Sequence, residues 1–419
     1  MMVLQTNETI ARCSWDSSAP PGARGSTAGR TCLRPSSGAR QQGATAHQDE
    51  REPQIETSVT VEALGVAVMA GVPVLLWGSP GTGKTSVVRA LGESLGWPVE
   101  VVIGSIREPT DFAGLPVVVD GGVHIAPPAW AARLAGAETG LLFLDELTTA
   151  PPAVQAAMLR VVLERVVGDV PLPAGVRLVA AANPPEEAAD GWELAPPLAN
   201  RLVHLDWPVD ATAVASGLAL GFPSPTPLLT QTPSTVHRLS ARAVVAAFLQ
   251  VRPTLVLQIP KVAALASRGW PSPRSWEAVA VLLAACEASM ASEDARTALV
   301  MGAVGEGAAL EFLSWVANAD LPDPEEVLAD PDAFVLPERS DRAFAALTAV
   351  ASVAVSKGDA ATWTAAWKVL AKAADAAPDV SALVARTLAS ARPDGAELPA
   401  EILTLAPVLR AAGLMRGDR

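Results

Sequence analysis

The sequence has no tyrosine and few cysteines, and aromatic residues make up only 4% of its 419 residues. The three cysteines, Cys13, Cys32 and Cys286, lie far apart without a C-x-x-C or Cys/His cluster, which argues against a disulfide framework and a zinc site. The longest uncharged apolar runs, such as 343–355, are shorter than the roughly 18 residues of a membrane-spanning helix. The N-terminus lacks the features of a secretory signal, so we expect a cytoplasmic protein.

Basic side chains are in the minority. The chain has 31 Lys and Arg against 44 Asp and Glu, a formal net charge of -13. Because Lys and Arg dominate binding to phosphate backbones, this balance argues against a surface that wraps nucleic acid, although it leaves a local basic groove open. Half of the residues are apolar. The length therefore predicts two to three domains with a sizeable core.

The first 57 residues are rich in Ser, Gly, Ala, Arg and Thr and poor in large apolar side chains. Such a segment buries too little surface to offset the entropy of ordering, so we predict a disordered N-terminal tail over 1–57. An alternative is that the tail is upstream sequence read from a start site placed too early.

The strongest signal is a glycine-rich loop after the apolar run Val74–Trp77, with the pattern G-x-x-x-x-G-K-[ST]. A strand before such a loop and a helix after it direct backbone N–H groups at one point, which suits an anion better than a chance turn does. Lys84 is the only lysine before Lys261, and a compact ammonium fits inside the loop where a guanidinium does not. The predicted phosphate-binding residues are Gly78, Ser79, Pro80, Gly81, Thr82, Gly83, Lys84, Thr85 and Ser86.

An insertion over 107–134 follows the predicted second strand, Val99–Ile103. Its two extended runs, Leu115–Val119 and Val123–Ala126, flank an Asp-Gly-Gly turn and predict a β-hairpin. Long structured insertions of this kind are often functional loops, and a tolerated ornament is the alternative.

Polar side chains end the next apolar strands. Asp145 and Glu146 follow Leu141–Leu144, and Asn183 follows Val176–Ala182. Downstream of a phosphate loop, Asp145 is expected to bind Mg²⁺ with Thr85, and Glu146 to orient or activate water. Asn183 can contact the γ-phosphate or the water, or can serve as a turn residue before Pro184.

A last strand at Leu202–Leu205, introduced by Arg201, completes five parallel strands with helical crossovers over 58–212. A Pro/Ser/Thr-rich stretch, Pro223–Pro233, then leads to an Ala-rich helical lid over 213–300. Arg274 is expected at the start of a helix, where it opposes the helix dipole and suggests an anion opposite; an ordinary surface arginine is the alternative. Helices are also predicted over 301–419, two or three of them Ala-rich helices between Asp341 and Ser390, without an assigned role.

Taken in order, these strings resemble the AAA+ ATPases and, among them, the MoxR-like family with its helix-2 insert. The phosphate loop GSPGTGKT is similar to the Walker A motif and LLFLDE to Walker B, while Asn183 and Arg274 take the places of sensor 1 and sensor 2. The finer strings TDFAGLP, VHIAPPAWAARL, DELTTAPPAVQAAMLRVVLERVV and VRLVAAANPP fall in the family's order. The resemblance covers about residues 58–290.

The resemblance implies an α/β P-loop core of AAA+ type, an all-α lid and a ring-forming ATPase, usually a hexamer, that uses ATP and Mg²⁺. Arg201 takes the place of the arginine finger that reaches a neighbouring subunit's nucleotide, although the family more often has Asp-Arg-Phe where this chain has Asn-Arg-Leu.

The resemblance further implies chaperone-like remodelling of a protein client, commonly one with a von Willebrand factor A domain, with the insert hairpin as the contact. A nucleotide-gated switch with little turnover and, less favoured because of the acidic balance, a nucleic-acid motor are the alternatives. The phosphate loop by itself does not distinguish ATP from GTP.

Overall fold

The computed structural model describes residues 58–184, 187, 191–222, 225, 232–318 and 320–411. The tail predicted over 1–57 and most of the linker predicted at 223–233 lie outside these residues. The described residues all belong to one unit, which spans 55–419.

A five-stranded parallel sheet with the order β2-β5-β8-β1-β9 is the centre of the fold. Its middle strands are apolar along nearly their whole length because helices cover both faces. This confirms the predicted α/β core. The strands, numbered together with those of two hairpins, are β1 (Val74–Trp77), β2 (Val99–Ile103), β3 (Leu115–Val119), β4 (Gly122–Ala126), β5 (Thr139–Asp145), β6 (Val166–Val167), β7 (Val170–Pro171), β8 (Gly175–Ala182) and β9 (Val203–Asp206).

Alternate residues of each strand enter two different apolar layers, as the two-residue period of a strand requires. Val74 and Leu76 of β1 face one layer, whereas Leu75 and Trp77 face the other. The helices of this part of the chain are α1 (Val59–Ala70), α2 (Lys84–Leu95), α3 (Thr110–Ala113), α4 (Ala129–Ala135), α5 (Pro152–Glu164), α6 (Pro196–Ala199) and α7 (Ala211–Leu220).

The insertion forms the predicted hairpin from β3 and β4. Val119 pairs with Gly122, so the turn is the two-residue loop Asp120-Gly121, and both residues have positive φ. A second, smaller hairpin from β6 and β7 was not predicted. It supports the first, because the backbone N–H of Ile125 donates to the Asp169 carboxylate at 2.8 Å.

The lid helices pack around a cluster of large aromatic side chains. Phe248 lies 5.1 Å from Phe312 and 5.5 Å from Trp276 between ring centroids. Residue 300, the predicted end of the lid, falls inside α11, and α12 follows directly after it. The lid helices are α8 (Thr235–Val251), α9 (Ala263–Ala266), α10 (Pro273–Ser289), α11 (Glu293–Val304) and α12 (Glu306–Ala317).

The C-terminal region is a helical bundle around Trp363 and Trp367. It is joined to the lid, because Phe344 packs with Ala247 of α8 and the Trp315 indole N–H donates to Asp341 at 2.7 Å. In the described part of the chain, no helix is both long and apolar enough to cross a membrane. The helices are α13 (Pro324–Ala329), α14 (Ser340–Lys357), α15 (Ala360–Ala373), α16 (Pro378–Ser390) and α17 (Glu401–Ala411).

Candidate nucleotide-binding site

The glycine-rich loop connects the carboxyl end of β1 to the first turn of α2. Gly81 and Gly83 have φ values of 77° and 88°, a region that L-residues with a Cβ rarely adopt. Gly78 is needed for another reason, because a Cβ there would lie 2.9 Å from Trp207. The loop thus brings backbone N–H groups and a helix N-terminus to one point, as an anion site requires.

The ammonium of Lys84 lies within this loop. Its Nζ donates to the carbonyl oxygens of Gly78 and Ser79, the latter at 2.9 Å, and to Asn183 Oδ1 at 3.4 Å. Burial lowers the pKa of Lys84, while the charges of Asp145 and Glu187 act in the opposite direction. An anionic phosphate would favour the charged ammonium for the same Coulombic reason.

Thr85 and Asp145 meet although 60 residues separate them. The Thr85 hydroxyl donates to Asp145 Oδ2 at 2.8 Å. Both are hard oxygen ligands, as Mg²⁺ requires. Among the described residues there is no cluster of three or more potential metal ligands. This donor set fits Mg²⁺, which is usually held by one or two protein oxygens together with water and substrate phosphates.

Glu146 directly follows β5 and has a positive φ of 58°. Its carboxylate accepts a hydrogen bond from the hydroxyl of Ser105, which follows β2. In the sheet order, β2 lies on the far side of β5 from β8 and β1. Ser105 therefore holds the Glu146 carboxylate away from the phosphate loop. Ser105 was not among the predicted site residues, because a serine just after a predicted strand is too common to mark a site.

Asn183 follows β8, between the strands that supply the loop and the two carboxylates. Its side-chain oxygen faces Lys84, and its backbone oxygen accepts from the buried Thr148 hydroxyl at 3.3 Å. The carboxyl end of the sheet thus brings together Lys84, Thr85, Asp145 and Asn183, with Glu146 beside them.

Arg201 and Arg274 lie elsewhere. They line one cavity of about 310 Å³ together with Gly71 and Pro73, which precede β1. Both arginines are therefore at the amino end of the sheet, opposite the phosphate loop. Burial and the nearby charge of Arg274 lower the pKa of Arg201. Neither guanidinium forms an ion pair with a described acidic residue.

A buried side chain connects the segments that carry these arginines. Asn200 donates to the backbone oxygen of Trp270 at 2.9 Å and accepts from the Ser272 hydroxyl at 2.7 Å. Ser272 caps α10, whose second residue is Arg274. The amide of Asn200 thus fixes the turn before Arg201 against the start of α10.

A larger cavity of about 1000 Å³ lies beside the end of β9, lined by Thr60, Asp206 and Arg268 among others. The Arg268 guanidinium stacks 4.3 Å from the ring centre of Trp77, the residue before the phosphate loop. His204, also in the lining, accepts from the Trp77 indole N–H at 2.8 Å, and burial lowers its pKa to about 4. The cavity is therefore close to the loop and carries polar and apolar groups.

The sequence matches known proteins over this part of the chain. Residues 73–202 match the family model of the AAA domain (dynein-related subfamily). The chain is 33% identical over 108 residues to the protein MoxR of Paracoccus denitrificans, covering 25% of this chain and 31% of that protein. It is 38% identical over 119 residues to the Psp operon transcriptional activator of Escherichia coli, covering 26% and 37% of the two chains.

The chain thus spans about a third of the length of these curated relatives. Among solved structures, a candidate ATPase of Cytophaga hutchinsonii is similar with a TM-score of 0.38 and 16% identity, over 58% of this chain and 80% of that one.

Proposed function

We propose that this chain is an AAA+ ATPase of the MoxR-like type, which binds ATP with Mg²⁺ and hydrolyses it in a ring of identical subunits to remodel a protein client. The observation that carries the proposal is the convergence of Lys84, Thr85, Asp145 and Asn183 at the end of one sheet. Lys84 and Thr85 open α2, Asp145 ends β5 and Asn183 follows β8, and these three segments together supply the groups that phosphoryl transfer needs.

Each residue has a distinct role in hydrolysis. The loop N–H groups and Lys84 would hold the β- and γ-phosphates, and Thr85 and Asp145 would hold Mg²⁺, which would offset the charge of the phosphates. Glu146 accepts a proton from the water whose oxygen bonds to the γ-phosphorus, while the bond between that phosphorus and the β–γ bridging oxygen breaks and ADP leaves. Asn183, within reach of Lys84, orients the γ-phosphate or the water.

The positions of Arg201 and Arg274 support a ring. Neither reaches the phosphate loop of its own chain, because both lie at the opposite end of the sheet. Unpaired guanidiniums suit the charge that builds up on a phosphate during transfer. We therefore assign both arginines to the nucleotide of a neighbouring subunit.

The base of the nucleotide has room in the cavity of about 1000 Å³ beside β9. Trp207, which adjoins this cavity's lining residue Asp206, donates its indole N–H to the backbone oxygen of Thr82 at 3.1 Å. ATP is the nucleotide that we propose, on the strength of the resemblance to the family.

The insert hairpin is the element that we assign to the protein client. Its tip exposes Val118 at 76% and Val123 at 69%, on a surface without Lys or Arg. A partner with a von Willebrand factor A domain is our expectation from the family, and we expect the protein to act in the cytosol.

A nucleotide-gated switch is the second candidate function. The contact between Ser105 and Glu146 favours it. An enzyme whose water-activating carboxylate is held away from the phosphates hydrolyses ATP slowly. In a switch, nucleotide binding alone changes the assembly.

Substitution of Lys84 tests the proposal. We expect Lys84→Ala to abolish ATP binding in a calorimetric titration, because the loop loses its only ammonium, whereas Glu146→Gln binds ATP and loses about 10² to 10⁴ in turnover. Lys357→Ala is the matched control, since Lys357 forms only a half-exposed ion pair with Glu325. Tight binding by Lys84→Ala contradicts the phosphate-loop assignment, and normal turnover by Glu146→Gln contradicts the water-activating role of Glu146.

A further inference from the structure

Helix α7 is an apolar element that the described part of the chain leaves exposed. It has no charged residue, and Leu218 and Leu220 are 77% and 78% exposed. Phe222, just after the helix, is 65% exposed and lies against Gly217, where a Cβ would come within 2.3 Å of its ring. A helix this short is marginal in water without packing, and contiguous exposed apolar side chains mark interaction surfaces.

The chain on both sides of α7 is attached to the phosphate loop or to the helix that follows it. Before the helix, Trp207 donates to the backbone oxygen of Thr82 in the phosphate loop. After it, the backbone oxygen of Pro225 accepts from the hydroxyl of Ser94 on α2 at 3.0 Å. The Trp207 contact therefore places the segment that leads into α7 beside the phosphate loop, whereas Ser94 lies at the other end of α2.

The site at the carboxyl end of the sheet lacks an arginine among its described contacts. Arg201 and Arg274 instead lie unpaired at the amino end. The cavity that holds the two arginines is also lined by apolar side chains, among them Leu163, which is 50% exposed. A second copy that brings its arginines to the phosphates therefore brings an apolar rim toward α7.

We propose that the α7 patch, made of Val214, Leu218, Leu220 and Phe222, is a contact surface for a second copy of this chain, which covers it when that copy's arginines close over the nucleotide. The inference rests on the proposed function, since it assigns a surface to the subunit interface. It goes beyond that function by naming the helix that contacts the neighbouring subunit.

The test compares two double variants on the Glu146→Gln background, which retains bound ATP. One carries Leu218→Ser and Leu220→Ser in the α7 patch. The other carries Leu398→Ser and Leu403→Ser, which are 63% and 76% exposed in the C-terminal region and serve as the matched control. Light scattering with saturating ATP measures the mass of each, and a calorimetric titration measures ATP binding.

We expect the parent and the control to form multiples of 43.1 kDa with ATP, and the α7 variant to stay at 43.1 kDa while binding ATP as tightly as the parent. An α7 variant that assembles like the control overturns the proposal and leaves the ring intact. A parent that stays monomeric with ATP overturns the ring itself and the α7 interface with it.

A crosslinking experiment identifies what covers the patch. A benzophenone attached at Leu218→Cys is irradiated with and without ATP in the purified Glu146→Gln protein. We expect an ATP-dependent product of twice the chain mass. A crosslink confined to single chains shows that another part of the same chain covers the patch, and it overturns the proposal.

Discussion

The hydroxyl of Ser105 controls where the Glu146 carboxylate points, because the two groups form a hydrogen bond on the side of β5 remote from the phosphate loop. Removing it frees the carboxylate to turn toward the water. A hydrogen bond to a charged group is worth about 1.5–3 kcal/mol, so Ser105→Ala should raise basal ATP turnover by about tenfold. Steady-state phosphate release measures this rate.

Ser289→Ala is the control for Ser105→Ala, since the Ser289 hydroxyl binds only helix carbonyl oxygens in α10. A fall in turnover for Ser105→Ala, with the control unchanged, would mean that Ser105 aligns Glu146 for catalysis and does not hold it back.

The sequence allows the residues at the carboxyl end of the sheet to be placed together, because parallel strands that end in polar residues share one end. Lys84, Asp145 and Asn183 follow this rule. Ser105 does not stand out, since serine after a strand is common and its partner depends on the left-handed backbone of Glu146. The pairing of the two arginines depends on how the lid packs, which no local pattern encodes.

Secondary-structure elements with a strong periodic pattern can be predicted from the sequence, whereas very short elements cannot. The sheet strands and the insert hairpin were predicted from apolar runs and an Asp-Gly turn. The hairpin of β6 and β7 was missed because its strands have two residues each, although Gly168-Asp169 is a turn signal. The end of the lid stays a prediction, because α11 and α12 are as Ala-rich as the neighbouring helices and no local pattern separates them.

The start of α10 depends on both ends of the Asn200 amide. A carboxylate there can still accept from Ser272 but cannot donate to the Trp270 oxygen, and it repels that oxygen. Asn200→Asp should therefore shift Arg274 and Arg201 and lower kcat about tenfold, the effect of about 1.4 kcal/mol, with KM for ATP nearly unchanged. Steady-state kinetics separates kcat from KM.

Asn318→Asp is the control for this change, since the Asn318 side-chain amide donates an exposed hydrogen bond to the Ser314 backbone oxygen. A thermal midpoint that falls while kcat stays at the parent value would assign Asn200 to stability alone. An increase in KM with kcat unchanged would mean that Asn200 affects ATP binding to its own chain.

The residues proposed to act in hydrolysis lie at two opposite ends of the central sheet. The phosphate loop and the carboxylates lie at the carboxyl end of the sheet, and Arg201 and Arg274 lie at the amino end. One chain cannot bring both ends to the same phosphate, so a closed arrangement of copies has a head-to-tail interface. Such an interface generates a ring when its rotation closes.

This arrangement predicts complementation between two inactive variants. Lys84→Ala lacks nucleotide binding but keeps its arginines, whereas Arg201→Ala keeps its phosphate loop and loses its arginine. When they are mixed, an Arg201→Ala subunit next to a Lys84→Ala subunit has a complete site, so turnover should reappear and peak near equal amounts. An arginine finger contributes about 10³ to 10⁵ in turnover, which makes the recovery easy to measure.

The same geometry predicts which mixtures fail. Lys84→Ala with Glu146→Gln combines two lesions at the carboxyl end, and Arg201→Ala with Arg274→Ala combines two at the amino end, so neither mixture forms an interface with every group intact. If turnover recovers only in the mixture of Lys84→Ala and Arg201→Ala, the arginine of one subunit acts on the nucleotide bound by its neighbour. If that mixture stays inactive while wild-type subunits assemble with ATP, Arg201 acts within its own chain and the head-to-tail interface is wrong.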